Sequence, residues 1–382
     1  MRILHVSDCF LPRLGGIEVQ VDELARAQHT AGHDVAIATA TPSGHPDPVD
    51  PVDPIVHRIV VPLPWELPIG GSLRGLLERV GPDVVHIHAG AVSPFAWRAV
   101  RQALRGRVPT VMTVHSLWGP VSEVTYRALF AGWCRSRGFV VTTVSEAAAA
   151  PIRGVVARRI PVEVVSNGID TVTWRETPPW LPTGQVHVVA VGRLAPRKEP
   201  ILLLRLLNSV RDQTPIRATV VGDGPARAAM ERYARRHDMG GWLRLTGRLD
   251  RTEVREVLAA ADVFLAPAAR ESFGLAALEA RLAGVPVVAQ TGSGVADFVT
   301  SGREGLLGHG FRGLSGALLR LATDHDLRDG ITAHNRATEP MRCTWPAVLA
   351  AFDRCYGMAI RGSSAGPGAG TRRWSRSPSS SR

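Results

Sequence analysis

Residues 262–289 set the fold class of the surrounding chain. The apolar run 262–267 reads as a buried strand. Leu275, Leu278 and Leu282 then recur at spacings of three and four, the period of one helix face. Gly284 ends that helix, and 285–289 starts another strand. Strand, helix and strand in succession make a β-α-β unit, the building block of a parallel sheet. Glu271 falls on the strand-to-helix loop, and Glu279 lies within the helix. Such loops line the carboxyl edge of a parallel sheet, where ligands bind. The helix start near Phe273 and Gly274 offers free amides and a positive dipole end, suited to an anion.

The same rhythm runs through the chain. Apolar runs at 3–6, 35–39, 83–88, 109–114, 139–145 and 162–165 read as strands of a first α/β domain. Residues 171–184 are rich in proline, carry Trp174 and Trp180, and show little periodicity, which predicts a linker. Runs at 186–191, 218–221 and 243–246 open a second α/β series that leads into 262–289. A chain of 382 residues accommodates two such domains. The expected division is 1–170, linker 171–184, then 185–344. Segments 41–54 and 62–71 read as irregular surface loops, the second carrying Trp65. Beyond Gly362 the chain is mostly Ser, Gly, Pro and Arg, which predicts a disordered basic tail over 362–382.

Three strand ends carry candidate chemistry. Gly15 and Gly16 stand just before a helical pattern and allow close backbone approach to a ligand, or make a plain tight turn. Arg193 and Lys198 share the loop after 186–191, a cationic clamp suited to a pyrophosphate. Lys198 is the only lysine in the chain, which sets it apart among so many arginines. His115 closes the strand 109–114 and is expected at the cleft; His86 and His88 are assigned to packing. Tyr126, Leu129, Phe130 and Trp133 form a helix stripe, either core-facing or, with Arg127, Arg135 and Arg137 nearby, able to touch a membrane surface.

Several function classes are disfavoured. No apolar run has the length of a membrane helix. Residues 1–7 read as an opening strand and not a leader, because Asp8 and Pro12 interrupt the apolar run. The four cysteines are scattered, which suits a reducing compartment and argues against a cysteine metal site. Of the net charge of +11, five units lie in 361–382. The remaining positive surface suits anionic substrates or an anionic membrane face. No basic run interleaves with aromatics in the folded part, which disfavours nucleic acid. A G-x-G-x-x-G fingerprint is missing, which disfavours a nicotinamide dehydrogenase.

The glutamate pair with its surroundings, R-E-S-F-G-L-A-A-L-E followed by A-G-V-P-V-V, resembles the E-x7-E motif of retaining, nucleotide-sugar-dependent glycosyltransferases of family 4. T-V-H-S at His115, V-S-N-G-I-D at 165–170, G-R-L-A-P-R-K at 192–198 and G-D-G-P at 222–225 resemble further segments of that family. The resemblance covers nearly all of the chain up to about Gly357. It implies the GT-B fold: two Rossmann-like β/α/β domains facing across a cleft, with the helix 345–357 crossing back to the first domain. It also implies site roles. Glu271 contacts the transferred sugar and Glu279 the ribose. Arg193 and Lys198 hold the donor phosphates, with Phe273, Gly274 and Leu275 at the helix start. Gly15 and Gly16 border the diphosphate, the loop through Leu249 wraps the base, and His115 lies near the reacting sugar and acceptor. Two departures stand out: Glu199 where glycine is common, and Asp297 where glutamate is expected.

The reading is a metal-independent, retaining hexosyltransferase, with His115, Arg193, Lys198 and Glu271 as catalytic groups. It uses no cofactor, only a UDP- or GDP-linked sugar as co-substrate. The acceptor is a lipid, a sugar or a small molecule. The expected location is the cytoplasm, with peripheral contact to an anionic membrane left open. A nucleotide-sugar 2-epimerase of the same fold and a non-catalytic nucleotide-sugar-binding protein are the alternatives.

Overall fold

The computed structural model describes residues 1–13, 15–43, 53–61, 70–156, 160–175 and 184–364. Most of the 41–54 and 62–71 loops, most of the 171–184 linker and the tail from 365 lie outside the described residues.

The first seven strands are β1 (Arg2–Ser7), β2 (Asp34–Thr39), β3 (Ile55–Arg58), β4 (Val84–Ala89), β5 (Thr110–Val114), β6 (Phe139–Thr143) and β7 (Val162–Val164). They form one parallel sheet in the order β3-β2-β1-β4-β5-β6-β7. The next six are β8 (Val186–Val191), β9 (Ile216–Val221), β10 (Leu243–Gly247), β11 (Val263–Ala266), β12 (Val287–Gln290) and β13 (Gly305–Gly308). They form a second parallel sheet in the order β10-β9-β8-β11-β12-β13. Central strands such as β4 are buried along their whole length, as expected where helices cover both faces. This is the two-domain α/β arrangement expected above.

The two faces of the first sheet differ. Leu4, Val6, Val85, Ile87 and Met112 point into a core shared with Phe95, Tyr126 and Phe130. The Tyr126 stripe is therefore core-facing, with Trp133 buried beside it. On the other face, Ile3, Val84, Val111 and Val140 pack against the C-terminal helix, Trp345–Ser364, through Val348, Phe352, Cys355, Tyr356 and Ala359. That helix starts beside the second domain and returns to the first, as expected. Its start is pinned by the Asn-Gly turn: Ile169 N–H donates to the Cys343 carbonyl at 2.9 Å. A Cβ on Gly168 would strike the Trp345 ring, so only glycine fits there. No helix among the described residues is long and apolar enough to cross a membrane.

Loops at the carboxyl ends of both sheets meet. Ser145, after β6, donates through Oγ to the Ser272 carbonyl, after β11, at 2.5 Å. Glu146 N–H donates to the Asp297 carboxylate, after β12, at 2.8 Å. The two carboxyl edges therefore face each other and bound a cleft.

Candidate active site

Strand order in the second sheet reverses between β8 and β11. Loops leaving those strands diverge and open a crevice at the carboxyl edge. The β8 loop brings Lys198 and the β11 loop brings Glu271. Their side chains form an ion pair, both partly shielded from solvent. Lys198 ends a 3-10 turn, Pro196–Lys198, and Glu199 follows in the left-handed region at φ 53 and ψ 48. A non-glycine residue gives up roughly 1–2 kcal/mol there. The Glu199 carboxylate accepts the Ala269 N–H at 3.2 Å, which ties the lysine loop to the glutamate loop. Arg193 lies exposed on the same loop; its carbonyl accepts the Ala195 N–H at 2.8 Å, and its side chain makes no hydrogen bond or ion pair among the described residues.

The helix Leu275–Leu282 begins at this crevice. Its N-cap, Gly274, stands at φ 95, and a Cβ there would come within 2.6 Å of Val295. No side chain caps the helix start. Its first amides are thus open to an anion. The helix Gly16–Thr30, α1, starts opposite, again with no side-chain cap at Gly15. A Cβ on Gly16 would lie 3.7 Å from Leu275, and one on Gly15 would strike the Glu18 carboxylate. Two uncapped helix starts therefore face each other across the cleft.

Phe273 is buried and packs on Phe298 with 5.3 Å between ring centroids, anchoring the loop from below. Leu249 and Leu275 pack part-buried against the same core. Glu279 keeps an edge toward solvent, but its carboxyl is withdrawn from it. Burial pushes its pKa up to about 8, against the opposing pull of the Arg251 guanidinium. Arg251, from the second domain, pairs with Glu23 of α1 at 2.5 Å and lies over the buried Trp174 ring. Glu23 in turn pushes the Glu279 carboxyl further up. Sequence reading missed Glu23 and Arg251, because nothing in their local pattern sets them apart from solvated charges.

His115 sits on the first-domain wall, at the end of β5. Its N–H donates to the Ala89 carbonyl, and its Nε2 lies 3.0 Å from His88 Nδ1. Burial lowers its pKa to about 4, so the ring is neutral at pH 7. The structure thus gathers Gly16, Lys198, Glu271, Gly274 and Leu275 around one crevice. Glu279 lies deeper along the helix, and the hydrogen bonds of His115 stay within the first domain.

Residues 14–173 match the family model described as glycosyltransferase family 4, and 176–348 match that described as glycosyl transferases group 1. The chain is 30% identical to a glycogen synthase of Mycobacterium tuberculosis, covering 95% of this chain and 96% of that protein. It is also 30% identical to a GDP-mannose-dependent alpha-mannosyltransferase of Mycolicibacterium smegmatis, covering 91% and 95%. Among solved structures, sucrose-phosphate synthase from Thermosynechococcus elongatus superposes with a TM-score of 0.77 at 19% identity, covering 94% of this chain and 99% of that one. HepE from Anabaena in complex with UDP and glucose gives 0.74 at 17%, covering 94% and 99%. These likenesses support the GT-B fold.

Proposed function

The chain belongs to the group 1 and family 4 glycosyltransferases, and on that premise we propose that it transfers a hexosyl group, with retention, from a UDP- or GDP-linked sugar to a hydroxyl acceptor. The observation that carries this reading is the pairing of Lys198 with Glu271 beside the uncapped start of the Leu275–Leu282 helix. A donor diphosphate at the helix start would draw on its amides, on Lys198 and on Arg193. All three place positive charge where the leaving diphosphate gains negative charge. They would supply that charge without a metal ion. Glu271, released from Lys198 by the phosphate, orients the sugar hydroxyls, and Glu279 accepts from the ribose. The acceptor enters from the first-domain wall beside His115. Among the described residues, no carboxylate stands out on that side as a nucleophile. A front-face attack fits this arrangement: the acceptor oxygen bonds the anomeric carbon, the carbon–phosphate oxygen bond breaks, and the hydroxyl proton passes to the departing phosphate.

The test begins with thermal stabilisation by UDP, GDP, ADP and dTDP in the presence of a chelator. A nucleotide at a hundredfold its dissociation constant should add about 2.7 kcal/mol. Silence from all four in folded protein would overturn the donor site. Lys198→Ala should lower kcat by about 100-fold or more, the scale seen when one group stabilising developing charge is lost. Donor incubated alone should yield no epimer.

A further inference from the structure

A buried polar row crosses the face of the first sheet beneath the C-terminal helix. Parallel register sets His5 beside His86, His88 beside Thr113, and Thr113 beside Thr142. His5 and His86 are fully buried, and His88 nearly so. Their ring nitrogens, one from each, fall within 4.8 Å of one another, a spacing that invites a metal reading. The hydrogen bonds argue otherwise, because both nitrogens of all three rings are engaged. His5 Nε2 meets Gln28 Oε1 at 2.7 Å, and His5 Nδ1 meets His88 Nε2 at 2.9 Å. His88 Nδ1 meets His115 Nε2 at 3.0 Å. His86 is held by Tyr356 Oη at 2.8 Å and Thr113 Oγ1 at 2.7 Å. Gln28 joins the two branches by donating through Nε2 to Tyr356 Oη at 2.8 Å.

The chain has a direction. A neutral imidazole donates from one nitrogen and accepts at the other, and the bond made by one nitrogen sets the role of its partner. Gln28 presents its carbonyl to His5, so His5 donates from Nε2 and accepts at Nδ1. His88 then donates from Nε2 and accepts at Nδ1, and His115 must donate from Nε2. Nδ1 of His115 makes no hydrogen bond among the described residues, and the side chain retains a small exposed edge. We propose that Gln28, His5 and His88 are positioning residues that hold His115 as its Nε2–H tautomer and leave Nδ1 as an acceptor for a substrate hydroxyl at the cleft. The other branch agrees: Tyr356, receiving from Gln28, donates to His86 Nδ1, and His86 Nε2 donates to Thr113. Burial keeps all four rings below their ordinary pKa, which preserves the one-proton-per-ring condition at neutral pH. A reversed Gln28 amide would reverse every N–H and make His115 Nδ1 a donor.

The substrate half of this proposal rests on His115 lying near the reacting sugar; the tautomer half does not. Long-range ¹H–¹⁵N correlation on full-length protein labelled with ¹⁵N-histidine, without substrate at pH 7, reads the tautomer directly. The expected spectrum shows His115 protonated at Nε2 and bare at Nδ1. His88→Leu should turn that signal into a tautomer mixture and lower kcat about 10-fold or more, with donor KM little changed. His88→Gln, which can still donate to His5 and accept from His115, should restore both. A wild-type His115 carrying its proton on Nδ1, or an unchanged tautomer in His88→Leu, overturns the proposal. If His88→Leu does not fold, the wild-type spectrum and His88→Gln decide. The expected tautomer in a protein that transfers no sugar would sink the transferase reading and leave the tautomer assignment standing.

Discussion

Glu279 carries a consequence for nucleotide binding that its neighbours make specific. In protein without nucleotide, burial holds its carboxyl at about 8, so at pH 7 it is largely protonated. Accepting ribose hydroxyls favours the charged form and lowers the pKa. Nucleotide binding at pH 7 should therefore release a proton, approaching one per site. Calorimetric titration in buffers of different ionisation enthalpy measures that number, and Glu279→Gln should abolish it. Proton uptake, or no transfer with wild-type protein, would remove Glu279 from the ribose. Glu199 shows a different residue-level balance. It occupies a left-handed position that suits glycine, and its carboxylate bond to Ala269 offsets part of that strain.

Among the elements, the helix Glu146–Val155 is capped from two domains. Ser145 accepts from Ala148 N–H inside the helix, while Asp297 accepts Glu146 N–H from across the cleft. An anion at a helix start gains from both the open amide and the dipole. A hydrogen bond to a charged group contributes about 1.5–3 kcal/mol. Asp297→Ala should thus weaken donor affinity about 10-fold by favouring separation of the domains, with small-angle scattering showing a larger radius of gyration. Asp297→Asn should fall between. Unchanged scattering and affinity would reduce the contact to a surface cap. Asp297 also shows where sequence reading stops. A shorter acid in place of glutamate was visible. That it caps a helix of the other domain was not, because closure of one sheet edge over another has no local period. Most of the strands, the helical spacing of the Tyr126 stripe and the returning helix were legible, since each buries a face with its own repeat; the short edge strands β3 and β13 were not. His86 and His88 were read as packing. They are buried, but the alternation that puts them on one face joins them to residues from β1, β5, α1 and the C-terminal helix, far away in sequence.

For the whole molecule, this polar row makes stability depend on pH in a direction that can be worked out. Burial holds His5, His86, His88 and His115 below 6.5, with His5 and His115 at about 4. An unfolded chain titrates each near 6.5. Between 6.5 and 4 the unfolded chain binds protons that the fold excludes, so stability falls as pH falls. Two carboxyls work against this. Burial raises Asp8 to about 6 and Glu279 to about 8, so the fold keeps protons that the unfolded chain has lost. Their contribution is present at low pH and declines as pH rises through the unfolded carboxyl range toward those values. Smaller upward shifts at Glu23 and Asp297 face downward shifts at Asp170 and Glu304. Each group contributes a slope of about 1.4 kcal/mol per pH unit across its window. Burial also lowers His57 and His187, so the lowered histidines outnumber the raised carboxyls and leave a net loss on acidification below 6.5. Above about 7.5 the unfolded histidines have lost their protons and fall silent, while Glu279 goes on lowering stability as pH rises to about 8. Urea unfolding from about pH 4.5 to 8.5 should show a maximum near about 7, steep on the acid side and shallow on the alkaline side. His5→Gln should flatten the acid limb by about one group's slope. An acid limb that rises instead would mean that the buried histidines hold protons in the fold, and the directional chain from Gln28 to His115 would fail with it.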